Sequence, residues 1–468
     1  MSAQATFPDA VVPAQAGTHS DAPTRRHSRA SGNPVTFVRY AKYKDSGVEW
    51  LGEVPIEWSI ARLKDIAQVI NGYPFDSKLF DSSGAYPLIR IRDLNRDGTE
   101  TRFNGELMPE AIVTSADVLI GMDGDFNVGR WRGCDNALLN QRMCCIRSED
   151  TSVSTILYYA LPIPLKAIND ITYATTVKHL SSLDVGNIRL AMPKRVGDRI
   201  KLAAFLDRET AKIDALIAEQ EKLIALMKEK RQALISHAVT KGLDPNAPMK
   251  DSGIEWLGHV PAHWNIRALR TLANVVRGAS PRPAGDPELF AGDFMPWVTV
   301  AEITKDESPD LTATSEYLTE LGAQASRTFR AGTLLYSNSG ATLGVPKLLC
   351  MDACANDGVV GFESLAQSLT TDFLYWFLRA LTPTIRDLVK QGSGQPNLNT
   401  DIVGSIRIGL PPVDEQAVIV DSIKTTEDAF STLSDQCSGA IELLKERRSA
   451  LISAAVTGKI DVRDAGMQ

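Results

Sequence analysis

A chain of 468 residues has room for two or three domains, each with its own core, and 44% hydrophobic with 23% charged residues is an ordinary globular composition. Its formal charge of −7 argues against diffuse, charge-driven nucleic-acid binding but leaves room for a local basic cleft. The six cysteines (Cys134, Cys144, Cys145, Cys350, Cys354, Cys437) form no CxxC pair. No apolar run approaches the ~18–20 residues of a membrane span, and the N-terminus lacks the apolar core of a signal peptide. These features predict a cytoplasmic protein with no membrane association.

Residues 1 to about 36 are rich in Ala, Pro, Ser, Thr and Gly without an apolar period, so we expect a disordered extension over 1–40. Its basic cluster, Arg25-Arg26-His27-Ser28-Arg29, is otherwise an arm for DNA, and a valine-coded start such as Val35 or Val38 would place the segment outside the natural chain. Lys44-Asp45-Ser46-Gly47-Val48-Glu49-Trp50-Leu51-Gly52-Glu53-Val54-Pro55-Ile56-Glu57-Trp58 follows. It returns as Lys250-Asp251-Ser252-Gly253-Ile254-Glu255-Trp256-Leu257-Gly258-His259-Val260-Pro261-Ala262-His263-Trp264, with eleven of fifteen positions identical at an offset of 206 residues. Such agreement marks an internal duplication.

Each copy then carries short strands and turns. Tyr86–Ile91 should correspond to Pro296–Val300, and Asp117–Met122 to Gly332–Ser337. A short helix (Ile156–Leu161; Asp372–Leu381) leads to a polar loop, Thr175–Leu180 in one copy and Gly392–Leu398 in the other. A strand ending at Pro193, or at Pro411-Pro412, hands over to a long helix-patterned run.

In the first run, alternate steps of three and four predict a coiled-coil seam of Leu206, Glu209, Ile213, Leu216, Gln220, Leu223, Met227, Lys230 and Leu234. Ile423, Thr426, Phe430, Leu433, Cys437, Ala440, Leu444, Arg447 and Leu451 form the matching seam. Gln220 and Lys230 would fix register at some cost in stability. Two matched copies suggest that the helices pair with each other, antiparallel. A helix of forty-odd residues reaches roughly 60 Å at 1.5 Å per residue, so each is a spacer. The expected fold is α+β with an internal pseudo-twofold repeat. Its parts are an extension (1–40), a first domain (41–197), spacer helix 1 (198–241), a linker (242–249), a second domain (250–411), spacer helix 2 (412–457) and a tail (458–468).

Catalytic signatures are scarce. There is no GxGxxG after a strand, GxxxxGK[ST], HExxH or GxSxG, and no Cys/His cluster with zinc spacing, so we assign no catalytic and no metal residues. Asp76-Ser77-Lys78 is a D-x-K triplet of the kind metal-dependent nucleases use, but it has no counterpart in the second copy. A protein-binding scaffold is the other rival. Two related, divergent modules on a double spacer suit recognition of two half-sites. Arg for guanine, Asn or Gln for adenine, and Lys or Arg for phosphate are the residue types needed. The first copy offers Arg90, Arg92, Arg96, Arg130, Arg132, Lys178 and His179; the second offers Asn338, Lys347, Lys390, Gln391, Ser393, Gln395 and Asn397.

The twice-occurring KDSG[VI]EWLG-x-VP-x-x-W, the Lys241-Gly242-Leu243-Asp244-Pro245-Asn246 joint, the Gly394-Gln395-Pro396-Asn397-Leu398 loop and the ALIS-x-AVT helix exits resemble the specificity subunit of type I restriction–modification systems, over about residues 40–460. The resemblance implies two target recognition domains, each reading one half of a bipartite, asymmetric sequence in double-stranded DNA. It implies a coiled coil that sets the gap, and docking of two methyltransferase subunits and of restriction subunits. S-adenosylmethionine and ATP with magnesium would belong to those partners, with no cofactor in this chain. The first copy departs from the pattern, with Ala174-Thr175-Thr176-Val177-Lys178-His179 in place of the Gln-Pro-Asn loop, which implies unlike half-sites.

Overall fold

The computed structural model describes residues 38–96, 98–133, 136–171, 178–340, 342–390 and 398–465, with side chains left aside at 171 and 388–390. The chain forms two compact units, Met1–Phe205 with Ser453–Gln468, and Leu206–Ile452.

Each repeated motif folds as a two-stranded hairpin. Tyr43–Asp45 pairs antiparallel with Glu53–Pro55, and Met249–Asp251 with His259–Pro261. The identical letters have identical tasks. Asp45 Oδ1 accepts the Gly47 N–H at 2.9 Å, and Asp251 Oδ1 accepts that of Gly253 at 3.0 Å. Gly47 and Gly52 (φ 65° and 60°), like Gly253 and Gly258 (67° and 63°), hold left-handed turns that favour a residue without Cβ. The Lys44 and Lys250 ammonium groups donate to the carbonyls of Trp58 and Trp264, whose indoles are buried. The repeated motif is thus a folding device.

The sheets repeat as well. In the first unit one sheet runs Val128–Gly129, Val118–Gly121, Met143–Arg147, Gln68–Asn71, and in the second the order Pro346–Leu349, Leu334–Ser337, Val359–Glu363, Asn274–Arg277 matches it, with Asp310–Leu311 added outside. The companion sheets centre on a parallel pair, Tyr86–Ile89 with Ala137–Leu139 and Met295–Val298 with Ala353–Ala355. Strands Arg189–Pro193 and Arg407–Leu410 return to pair with Trp58–Arg62 and Asn265–Ala268, closing each domain before its spacer helix. Such strands read as near-continuous apolar runs because both faces are covered; Met143, Cys144, Cys145 and Ile146 are all buried. The domain helices Thr151–Ala160 and Thr371–Lys390 begin at equivalent places.

The spacer helices span Val196–Lys241 and Val413–Val456. Within the second unit they run antiparallel: Arg231 pairs with Glu427, and Asp214 with Arg448. The seam differs from its expected line. Burial selects Leu206, Thr210, Ile213, Ile217, Gln220, Ile224, Met227, Arg231 and Ile235, while Leu216, Leu223 and Leu234 are 45%, 44% and 44% exposed and Lys230 is exposed. In the second helix Ser434 and Arg448 turn inward, and Leu433 and Arg447 outward. Adjacent apolar pairs such as Leu216-Ile217 and Leu223-Ile224 fit either phase of the repeat. The polar partners, Arg231 with Glu427 above all, select the phase that the apolar pattern leaves open.

Gly242 and Gly458 end the helices with φ 73° and 69°. A Cβ on Gly242 would lie 3.4 Å from Trp264, and one on Gly458 2.4 Å from Pro55, so each helix exit is seated on a hairpin. The segments expected to trail free of the fold are built in at their inner ends. Asp461 N–H donates to the Val38 carbonyl at 2.7 Å, Tyr43 Oη to the Gly458 carbonyl at 3.0 Å, and Arg463 pairs with Glu57 and Asp461. Residues 1–37 lie outside the described residues. Among the described residues no helix is long and apolar enough to cross a membrane.

Candidate nucleic-acid interface

In each domain the sheet delivers several sequence-distant loops to one end. In the first, Asn140 N–H donates to Ile89 O (3.1 Å), Tyr73 N–H to Leu139 O (2.9 Å), Met122 N–H to Arg142 O (2.9 Å) and Leu180 N–H to Met122 O (2.8 Å). The second repeats the set: Asn356 to Val298 (3.0 Å), Ala279 to Ala355 (2.9 Å), Asn338 to Gly358 (2.9 Å) and Leu398 to Asn338 (2.8 Å). These backbone bonds fix loop positions independently of side-chain identity, which leaves side chains free to differ.

The first set carries a basic group around one acid. Arg142 is 70% exposed and its Nη1 donates to Asp123 Oδ2 at 3.2 Å; His179 Nδ1 lies 2.8 Å from Asp123 Oδ1. Arg92, Arg96 and Arg132 are exposed. Three expected contacts are partly engaged elsewhere. Arg90 pairs at 3.5 Å with the buried Asp93. Arg130 donates to Thr155 Oγ1 at 3.1 Å and lies over the Tyr158 ring at 4.6 Å. Lys178 Nζ donates to Asn169 Oδ1 at 2.6 Å.

The second set also surrounds one acid. Arg277 donates from Nε to the Asp357 carbonyl at 2.6 Å, and Arg282, 71% exposed, reaches the Asp357 carboxylate at 3.8 Å. A hydrogen bond from Ser280, aided by Arg277 and Arg282, holds that carboxyl below the usual range. Two expected contacts are buried here. Lys347 is 1% exposed, its ammonium enclosed by the Asp306 carboxylate and the Asp306 and Ser308 carbonyls. Asn338 is fully buried, with neither side-chain polar atom partnered among the described residues. Lys347 lies within strand Pro346–Leu349 and Asn338 directly after strand Leu334–Ser337, so both side chains are covered rather than exposed. The Lys390 side chain and Gln391, Ser393, Gln395 and Asn397 lie outside the described residues, as does the Thr175–Val177 part of the first polar loop.

Arg142, Arg277 and Arg282 escaped sequence reasoning because their neighbours at the sheet end come from remote segments. One signal was available: Ala137-Leu138-Leu139-Asn140 and Ala353-Cys354-Ala355-Asn356 share A-x-x-N, and the asparagines hold equivalent places. The D-x-K triplet has a structural task. Asp76 Oδ1 accepts the Lys78 N–H at 3.0 Å as the cap of the short helical turn Ser77–Leu79. Among the described residues no group of three or more His, Cys, Asp or Glu is placed to hold a metal ion.

Two stretches, residues 55–224 and 261–443, match the model of the type I restriction modification DNA specificity domain. The chain belongs to that family. Each match takes in one domain and most of the helix after it. The specificity subunit of the type I restriction enzyme EcoBI from Escherichia coli is 27% identical over 431 residues, covering 89% of either chain. The MjaVIII specificity subunit of Methanocaldococcus jannaschii is 22% identical over 88% of this chain and 95% of its own. Among solved structures, a chain from work on complex assembly and conformational transition of the type I R-M system superposes with TM-score 0.65 at 16% identity, over 86% of this chain and 98% of that one. The HsdS subunit of Thermoanaerobacter tengcongensis gives 0.50 at 15% identity, over 87% and 98%. At these identities the structures speak for the fold alone.

Proposed function

We propose that this DNA specificity subunit reads a bipartite sequence, one half with the sheet-end loops of each domain, and that the spacer helices set the gap between halves. The carrying observation is that the two loop sets share backbone bonding while their charged side chains differ. A common frame with unlike surfaces is what two unlike half-sites need. Arg92, Arg96, Arg142 and His179 are the first domain's contacts, with Arg277 and Arg282 leading in the second. Arg suits bidentate contact to guanine or phosphate. The overall acidity of the chain then suppresses binding away from the target, while these local clusters supply contact at it.

Two methyltransferase subunits dock on the repeated scaffold, one per repeat, and restriction subunits join them; S-adenosylmethionine, ATP and magnesium are held by those partners. The chain itself positions DNA and transfers no group, and it works in the cytoplasm, where its DNA substrate is. The family relationship supports this reading, and the assignment of cofactors follows from it. The test is genome-wide adenine-methylation mapping in a host carrying this chain with its methyltransferase subunit, against a host lacking only this chain. The expected result is one new motif with two unlike halves and a fixed gap. An assembled complex that adds no motif refutes it.

A further inference from the structure

Arg231 and Arg448 hold the same place in the two helix exits, Arg231-Gln232-Ala233-Leu234-Ile235-Ser236 and Arg448-Ser449-Ala450-Leu451-Ile452-Ser453. Their surroundings differ. Among the described residues Arg448 pairs with the other helix alone, donating to Asp214 at 2.8 and 3.3 Å in a pair whose side chains are 32% and 51% exposed. Arg231 engages Glu427 through two guanidinium nitrogens, with the pair 23% and 17% exposed. The same Glu427 carboxylate receives Arg379 of the second domain's helix at 3.8 Å. Arg379 is itself fixed, donating to Tyr375 Oη at 2.9 Å and lying over the Trp376 ring at 5.1 Å. Arg231 also reaches Glu307 of that domain at 3.5 Å. In the first domain the ninth residue of the equivalent helix is the uncharged Tyr159 rather than an arginine.

We propose that Glu427, Arg231 and Arg379 are positioning residues that fix the angle of the second domain on the spacer helices and thereby the length of gap the protein accepts; this rests on the bipartite reading above. A single carboxylate shared by two planar guanidinium groups defines a direction as well as an attraction. Exposed ion pairs contribute little stability, but this one is sheltered and its bonds converge from three elements. A one-base-pair error displaces a half-site by about 3.4 Å and turns it by about 34–36°. A domain held at one angle rejects that error, and a domain free to swing accepts it.

The experiment uses the full chain with its methyltransferase subunits and a plasmid set carrying both halves at the native gap and at one base pair more or less. Glu427→Gln removes the shared charge. The double variant R231E/E427R keeps a helix-to-helix pair but sets the introduced guanidinium against Arg379. Both should methylate the native halves while preference for the native gap falls about tenfold or more, equivalent to about 1.4 kcal/mol. Asp214→Asn, which breaks the pair outside the domain, should leave gap preference unchanged. If the helix variants fail to fold, Arg379→Met cuts only the domain arm and must relax the gap by itself. Strict gap preference in folded E427Q, R231E/E427R or R379M overturns the proposal. Wild-type complex that methylates no bipartite site overturns the underlying reading and this one with it, a pattern distinct from strict variants of an active wild type.

Discussion

The two domains solve one mechanical problem with different chemistry. At the start of the first spacer helix Arg199 holds Asp150, the cap of the domain helix, at 3.0 and 3.2 Å. At the start of the second, Gln416 occupies the equivalent position. It is fully buried, accepts the Thr370 N–H (2.9 Å) and hydroxyl (3.0 Å), and donates to the Ser368 and Pro411 carbonyls at 2.7 and 2.9 Å. One joint is a partly exposed ion pair and the other a closed neutral network. Duplication therefore preserved the place of the joint and the partner element while its chemistry drifted. The hairpins behave oppositely, with lettering and bonds both retained. Divergence was tolerated where several chemistries hold the same geometry, and not where left-handed glycines and a buried indole admit one.

The largest effect expected from this comparison is at the hairpins. Trp58→Ala and Trp264→Ala each leave a cavity where a fully buried indole packs, at a cost of about 3–5 kcal/mol. Calorimetry should show each substitution lowering the melting of its own unit by a similar amount. A loss confined to Trp264→Ala would break the equivalence of the two hairpins. Next come the joints. Gln416→Ala leaves the Thr370 N–H and the buried Pro411 carbonyl without their partner and should cost about 2–3 kcal/mol, against about 1 kcal/mol or less for Arg199→Ala, whose pair is partly exposed. Urea unfolding at low and high salt checks both size and kind: salt should shrink the Arg199 effect and spare that of Gln416.

At the sheet ends the comparison concerns specificity. R142A/H179A should weaken binding of the first half-site and leave the second half unaltered, and R277A/R282A should do the converse. Losses of about 1–3 kcal/mol per base-contacting side chain are expected, and a phosphate contact should lower affinity for all sequences alike while reducing the salt slope. Competition binding of the assembled complex to duplexes altered in one half at a time reads this directly. If both pairs weaken both halves equally, the loops position DNA without reading it.

Repeat, domain order and helix pairing were legible because they are written in local patterns: a fifteen-residue motif repeated with eleven identities, matched helix exits and long uninterrupted apolar periods. The phase of the seam was not, because Leu216-Ile217 and Leu223-Ile224 satisfy either phase and the choice rests on Arg231 meeting Glu427 from 196 residues away. Lys347 and Asn338 misled for a related reason. Polar letters near a turn predict a surface, but these two are buried, and only tertiary pairing with Asp306 and Ser308 explains a buried lysine. Arg142 and Arg277 belong to a surface that exists only once the sheet has assembled it.

The smallest effect separates the joints by acidity. Burial works against ionisation of Asp150, but hydrogen bonds from Ser152 and Arg199 outweigh it and hold the carboxyl below its ordinary value. A carboxylate whose folded value lies below its unfolded value near 3.9 adds stability that is complete well above that pH. That stability drains away as pH falls below about 4 and on through the depressed folded value. The Gln416 joint has no titrating group among its four bonds. Between neutral pH and pH 3 the helix Thr151–Ala160 should therefore lose amide protection, corrected for intrinsic exchange, while the first turns of Thr371–Lys390 keep theirs. Arg199→Met should reduce this difference by the share of the ion pair, leaving the part due to the Ser152 bonds to Asp150. Equal loss in both helices would instead place the acid-sensitive contact in something the joints share, and the contrast between a charged and a neutral joint would have no consequence for stability.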